Sequence, residues 1–290
     1  MAQHTTADVI TSRDNRWVKE FRAGLRGSGP TGDEPIAVEG PKLIEDALRH
    51  GLEAEALLVS EAGEPALERI LRAASESEAG IERSRVLRTT DKVFEGVSGT
   101  EAPQGIAALF RQPAWDFEQV LGREASAHDS GARLQAALVL VMAGVQDPGN
   151  VGTILRSAEA FGATGVVATR GTADPWSPKA VRASAGSALR VPLLRGMSIP
   201  VVLAQLRVSH VKIVAAGSHE PRRGGADAIS GADLSEPVAI LIGNEGAGLA
   251  HEIEGSADAH IAIAISSSVE SLNAGIAASI LLYEAARQRK

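Results

Sequence analysis

Ala136 to Met142 is a nearly unbroken apolar run, and it constrains the fold of this chain more than any other stretch. A strand with one wet face alternates apolar and polar residues; a strand buried on both faces does not. Similar runs recur at Gly165–Thr169, Lys212–Ala216, Val238–Ile242 and Ala259–Ile265. Between them lie segments of helical periodicity: Val151–Phe161, Lys179–Leu189, Pro200–Val208 and Ser271–Arg289. Strands alternating with helices predict a doubly wound α/β domain, a mostly parallel sheet covered on both faces. Ligand-binding groups are then expected just beyond the carboxyl ends of the strands.

The first hundred residues alternate more weakly. Asn15–Leu25 is predicted helical, with Trp17, Phe21 and Leu25 on one face, and Gly40–His50 helical with Leu43, Ile44, Ala47 and Leu48 turned inward. Further helices are expected at Glu64–Ala74 and Asp91–Val97, and strands at Ile36–Glu39, Ala56–Val59, Val86–Leu87 and Gly105–Phe110. Between the two halves, Gln112–Arg133 holds Pro113, Gly122, Gly131 and a Ser/Ala-rich middle, the composition of a linker. The expected organisation is a small α/β domain over 1–111, a linker over 112–133 and a larger α/β domain over 134–290. No internal repeat is visible.

Charge and composition exclude several function classes. The chain has no cysteine, so it has no thiol nucleophile, iron–sulfur cluster or zinc–thiolate site. Its 29 basic and 36 acidic residues give a net charge of −7, which argues against wrapping nucleic acid by bulk positive charge. The amino-terminal segment inverts that balance: Arg13, Arg16, Lys19, Arg22 and Arg26 stand against Asp8, Asp14 and Glu20. An RNA or DNA contact would start there. No apolar run reaches the ~18 residues of a membrane span, and Met1–Arg13 lacks the apolar core of a signal peptide. A cytoplasmic protein with no membrane partner is expected.

Three strand-to-helix junctions carry possible chemistry. Asp147 to Arg156 joins a buried strand to a helix: Pro148 and Gly149 shape a turn, Asn150 is a natural N-cap, and Gly152 and Arg156 share a helix face. The bland alternative for Arg156 is a surface pair with Glu159. Leu241 to Leu249 places Gly243, Gly246 and Gly248 directly after a strand, which lets a ligand approach the backbone, with Asn244 and Glu245 inside the bend. The alternative is a tight turn with Glu245 in solvent. Ile263 to Asn273 runs from a strand through a polar loop into the last helix, where Ser271 and Asn273 expose backbone donors suited to an anion. Simple N-capping by Ser271 is the alternative there.

Together and in this order the junctions resemble the SpoU family of RNA 2′-O-ribose methyltransferases, part of the wider class of knotted, S-adenosylmethionine-dependent enzymes. The matching motifs are Asn150-Val-Gly-Thr-Ile-Leu-Arg156, Ile242-Gly-Asn-Glu-Gly-Ala-Gly248 and Ser271-Leu-Asn273, and Asp174–Ser184 is similar to the family's intervening segment. Upstream, Ser12, Asn15 and Lys19, then Val38-Glu-Gly40 and Ser98–Ile106, resemble the family's substrate-binding domain, itself similar to a small fold of ribosomal proteins. One departure is Ile263-Ala-Ile265 where the family often has Ile-Pro-Met.

The resemblance implies a trefoil knot at the carboxyl end, a homodimer through the knotted domains, and no metal. It implies methyl transfer to a ribose hydroxyl of structured RNA, 23S ribosomal RNA first, with transfer RNA or a non-catalytic RNA-binding role as alternatives. S-adenosylmethionine would be held by Gly217, Leu241, Ile242, Gly243, Asn244, Gly246, Ile263, Ile265, Ser271, Leu272 and Asn273. Arg156 would act on the hydroxyl, Asn150 would orient Arg156 or the ribose, Glu245 would hold Arg156 or Asn150, and Ser271 and Asn273 would complete the substrate side. Arg13, Asn15, Lys19 and Arg22 would grip RNA; in the final helix, Ile276, Ile280 and Tyr283, with Ala274, Gly275 and Ala278, would serve the dimer or merely pack on their own sheet. A nicotinamide-dependent oxidoreductase is the rival from another class. Its glycine fingerprint has a different spacing, and Thr169-Arg170 stand where that fold ends a strand in an acid.

Overall fold

Apolar runs and amphipathic helices build two sheets here, one in each of two compact units. The computed structural model describes residues 9–76, 85–123, 136–217, 227–228, 231–266 and 271–290. The first unit comprises Met1–Pro113 with the short segment Trp176–Val181, and the second Ala114–Pro175 with Arg182–Lys290.

In chain order the first unit holds α1 (Arg16–Arg26), β1 (Ile36–Glu39), α2 (Pro41–Arg49), β2 (Ala54–Val59), α3 (Glu64–Glu76), β3 (Val86–Arg88), α4 (Asp91–Glu95) and β4 (Ile106–Phe110). Its sheet runs β1-β4-β2-β3, antiparallel except for the parallel β2–β3 pair. Helix α1 starts where Asn15 accepts a hydrogen bond from the Trp17 amide, and it buries Val18, Phe21 and Leu25. In α2 the inward face includes Glu45, which bonds Arg69, while Leu43 is only half-buried.

The second unit continues with α5 (Phe117–Val120), β5 (Leu138–Met142), α6 (Pro148–Ala160), β6 (Gly165–Thr169), α7 (Pro178–Ala183), β7 (Leu193–Met197), α8 (Ile199–Val208), β8 (Lys212–Gly217), β9 (Asp227–Ala228), β10 (Val238–Ile242), α9 (His251–Glu254), β11 (Ala259–Ala262) and α10 (Ala274–Gln288). Four of the six residues of α7 belong to the short segment grouped with the first unit. The sheet order is β7-β6-β5-β10-β8-β11-β9, and every pairing is parallel. Strands β5 and β10 lie at its centre and are buried throughout, as their unbroken apolar sequence requires.

Several expectations are corrected. Residues 114–123 are not linker: Asp116 caps α5, and Val120 and Leu121 join the apolar cluster under the parallel sheet. The remainder of that stretch, 124–133, lies outside the described residues. The helix expected over Lys179–Leu189 is broken, because Ala185 and Gly186 both take left-handed conformations (φ 50° and 86°) before a 3-10 turn at Ser187–Leu189. Strand β7 gave no sequence signal: it is an edge strand whose apolar run is cut by Arg195 and Gly196. The last strand ends at Ala262, leaving Ile263 and Ile265 beyond it, and α10 begins at Ala274 rather than Ser271. Among the described residues no helix is long and apolar enough to cross a membrane.

Candidate active site

The carboxyl end of β5 delivers the chain into α6, and the cap of that helix arranges the site. Asp147, not Asn150, is the N-cap: its carboxylate accepts from the Gly149 amide (2.9 Å), and Pro148 occupies the first turn. Asn150 therefore lies inside the helix, 8% exposed, with its side chain available to the neighbouring loops. Its Nδ2 donates to Glu245 Oε1 (2.9 Å), and its Oδ1 accepts from Asn273 Nδ2 (2.8 Å). Residues from three separate junctions thus meet in one chain of hydrogen bonds.

Glu245 binds this cluster from the loop after β10. Besides Asn150 it accepts the backbone amides of Gln146 and Asp147, each at 3.1 Å. Partial desolvation works to raise its pKa, but the Asn150 bond and the amides of Gln146 and Asp147 prevail and hold it below the ordinary carboxylate value. The loop is shaped for this. Asn244 Oδ1 accepts from the Gly246 and Ala247 amides, its Nδ2 donates to the Gly144 carbonyl, and Asn244 and Gly248 exchange backbone bonds. Gly243 has no alternative residue: a Cβ there would lie 2.3 Å from the Gly248 carbonyl carbon. Asn244 is consequently a loop organiser, and Leu241 is wholly buried in the apolar cluster.

Asn273 does two jobs. Its Oδ1 caps α10 by accepting from the Gly275 and Ile276 amides, while its Nδ2 reaches Asn150. Ser271 is exposed and precedes the helix; residues 267–270 of this junction lie outside the described residues. Below Asn273, α10 packs along α6 through matched small residues. A Cβ on Gly275 would meet Thr153 Cγ2 at 3.0 Å, Ser157 and Ser279 hydroxyls are 2.6 Å apart, and Phe161 meets Tyr283 edge-on at 5.8 Å. Gly275 therefore serves this internal seam, and Ala278 is fully buried. Ile276 and Tyr283 remain 51% and 56% exposed, and Ile280 is half-buried.

Arg156 flanks that seam, about 60° around the helix from Thr153. It is exposed and bonds no described residue, neither Asn150 nor Glu245. The orienting roles expected for those two toward Arg156 are therefore not seen. Nor does Arg156 pair with Glu159, whose carboxylate takes Arg190 (2.6 and 2.7 Å) and Ser187.

The cofactor-binding candidates gather at the ends of adjacent strands. Gly217, Ile242 and Ala262 end β8, β10 and β11, which neighbour one another in the order β10-β8-β11. Gly217 has nothing nearer a Cβ than the Ile261 carbonyl at 3.9 Å, Gly246 is exposed, and Ile263, Ile265 and Leu272 are half-buried. Open glycine backbone beside half-buried apolar side chains suits a flat, polar-edged group such as an adenosyl moiety.

In the first unit the basic residues are largely committed. Asn15 caps α1, Arg22 donates to the Gly96 carbonyl (3.1 Å) and to that of Arg13 (3.4 Å), and Lys19 pairs with Asp14 (3.2 Å) on the exposed surface. Arg26, part of the same basic segment, donates to the Ser98 and Glu95 carbonyls. The buried carboxylate of Glu39 accepts from Ser98, Gly99 and Thr100, explaining why Val38-Glu-Gly40 and Ser98-Gly-Thr100 occur together. Sequence reading also missed Asp147 and Gly144 as site-builders; an acid directly before Pro-Gly at a helix start is the signal for the first.

Known proteins resemble both units of the chain. Residues 137–283 match the model of the SpoU rRNA methylase family, and residues 32–108 match the MRM3-like substrate binding domain. The chain is 31% identical to the 23S rRNA guanosine-2′-O-methyltransferase RlmP of Bacillus subtilis, over 94% of this chain and 97% of that protein. It is 32% identical to a 23S rRNA uridine-2′-O-methyltransferase of Streptomyces viridochromogenes, over 97% and 92%. Among solved structures, an rRNA methyltransferase from Sinorhizobium meliloti superposes with a TM-score of 0.78 at 29% identity, covering 97% of this chain and 98% of that one. The SpoU methyltransferase AviRb of S. viridochromogenes, in complex with AdoMet, gives 0.75 at 26% identity, covering 95% and 99%. The fold is that of an α/β RNA methyltransferase. The chain belongs to the SpoU rRNA methylase family.

Proposed function

We propose that this protein is an S-adenosylmethionine-dependent RNA 2′-O-ribose methyltransferase acting in the cytoplasm on 23S ribosomal RNA. One observation carries the site assignment: Asn150, Glu245 and Asn273, remote in sequence, join in one hydrogen-bonded cluster at the carboxyl ends of parallel strands. The two 23S-specific relatives, each aligned over nearly its whole length, favour ribosomal over transfer RNA.

When bound, S-adenosylmethionine supplies an electrophilic methyl group on a sulfonium. Gly217, Ile242–Gly246, Ile263, Ile265 and Leu272 would hold it, largely through backbone. The ribose hydroxyl must lose its proton as the new carbon–oxygen bond forms. Glu245 is a poor acceptor for that proton, since three donors hold it as a carboxylate. A guanidinium is a permanent cation, so Arg156 acts by stabilising the developing alkoxide or the adjacent phosphate while the proton leaves to water. Asn150 and Glu245 act as positioning residues that fix the strand-end loops against each other. Asn273 ties the last helix to the same point, and Ser271 completes the substrate side from its exposed position.

The carboxyl end is read as a trefoil knot. Supporting this, β10 lies between β5 and β8, β11 lies beyond β8, and α10 then returns to pack on α6. The protein is read as a homodimer through this unit, with the exposed Ile276 and Tyr283 beside Arg156 in the contact. The first unit would bind RNA through Arg13, Asn15, Lys19 and Arg22. Methylation of unmodified 23S rRNA transcript by the purified protein tests the reading. A 2′-O-methylated nucleoside is expected, and methylation confined to transfer RNA would replace the substrate.

A further inference from the structure

An open cavity of about 230 Å³ lies at the end of β6 and β7, apart from the ends of β8, β10 and β11. Arg170, Thr172, Asp174, Arg195 and Gly196 are among its walls. Arg195 is half-buried and donates to Asp174 (2.8 Å), so that pair is neutral and fixed. Arg170 is exposed and donates its Nε to the Gly196 carbonyl (3.1 Å); its terminal amino groups meet no described residue. The lining of the cavity therefore carries one net positive charge and no aromatic wall on which a base could stack. Gly171 and Gly196, both left-handed, have nothing within 4 Å of a Cβ, which keeps its floor open.

The cavity is bonded to the active site. Thr172 donates to the Met142 carbonyl (2.8 Å) and accepts from the Gly144 amide (3.1 Å), and the Gly144 carbonyl receives Asn244 of the Glu245 loop. In register, Ile242, Met142, Ala168 and Arg195 lie side by side across β10, β5, β6 and β7. Neighbouring strands are about 4.8 Å apart, so the cavity starts roughly 10 Å from the Glu245 junction, on the same rim. A short stretch of single strand spans that distance.

We propose that this cavity is a phosphodiester subsite for the substrate RNA, in which Arg170 holds a backbone phosphate near the nucleotide being methylated. Arg195, locked by Asp174, shapes the wall. The proposal rests on the RNA methyltransferase reading above. Its test is filter binding of unmodified 23S rRNA transcript at several salt concentrations, with steady-state methylation alongside, for wild type, Arg170→Ala and Arg170→Lys. Losing one phosphate contact should weaken binding about tenfold for Arg170→Ala and flatten the log–log salt slope by about 0.7. The RNA KM should rise in step, kcat at saturating RNA should stay within about twofold, and S-adenosylmethionine affinity by calorimetry should not change. Lysine should restore the slope. An Arg170→Ala protein with wild-type affinity and slope overturns the proposal, as does a lysine variant as defective as alanine. A wild-type protein that binds S-adenosylmethionine yet neither binds nor methylates RNA overturns the underlying reading instead, and this proposal with it.

Discussion

Among single residues, Arg156 stands apart from the Asn150–Glu245–Asn273 cluster. Arg156 is exposed and bonds no described residue, so its removal should leave the fold and the cofactor-binding strand ends intact. Arg156→Ala is expected to bind S-adenosylmethionine as wild type does, by calorimetry, while methyl transfer falls at least about a hundredfold. Glu245 is different: its charge is held by donated hydrogen bonds, so its contribution to stability is present above the ordinary carboxylate range. That contribution is lost as pH falls through its lowered pKa. The unfolding free energy of wild type minus Glu245→Gln should be level at neutral pH, about 1 kcal/mol, and shrink on acidification; a difference independent of pH would deny the carboxylate this role. Asn150, Glu245 and Asn273 were legible in sequence because each follows a strand end. Their partners were only partly legible. Nothing local shows that Asn150 looks toward Glu245 and Asn273 rather than Arg156, because that depends on Asp147 taking the cap and placing Asn150 inside the helix.

At the scale of elements, α6 and α10 form one packed seam topped by the Asn150–Asn273 bond. Its far end is held by Arg289, whose half-buried guanidinium donates to the carbonyls of Ala136, Ala137, Leu234 and Glu236. Burial lowers the pKa of Arg289; the four carbonyl bonds offset that desolvation. Arg289→Ala should destabilise the protein by about 2 kcal/mol in denaturant unfolding; an unchanged midpoint would mean that the carbonyls are served equally well by water. Strands buried on both faces were read correctly from unbroken apolar runs such as Val238–Ile242. Elements set by tertiary context were not. Edge strand β7 lacks a continuous run, α5 is a single capped turn, and the break after α7 turns on left-handed Ala185, a residue with no local signal for that conformation.

At the scale of the whole molecule, two units with separate sheets correspond to two family matches, one catalytic and one substrate-binding. The change in patterning falls near residue 112, while the chain joins its second unit earlier than composition suggested, through Val120 and Leu121. If α10 supplies the dimer contact, sedimentation of the wild type should give a dimer and Tyr283→Glu a monomer; a monomeric wild type at micromolar concentration would remove the dimer from the account. The methyl acceptor and the role of Arg156 are read together in a single labelling experiment. Unmodified 23S rRNA transcript is incubated with the protein and S-adenosylmethionine labelled in its methyl group, then digested to nucleosides. The account predicts label in a single 2′-O-methylated nucleoside with wild type and none with Arg156→Ala. Label on a base, or equal transfer by the variant, would contradict it.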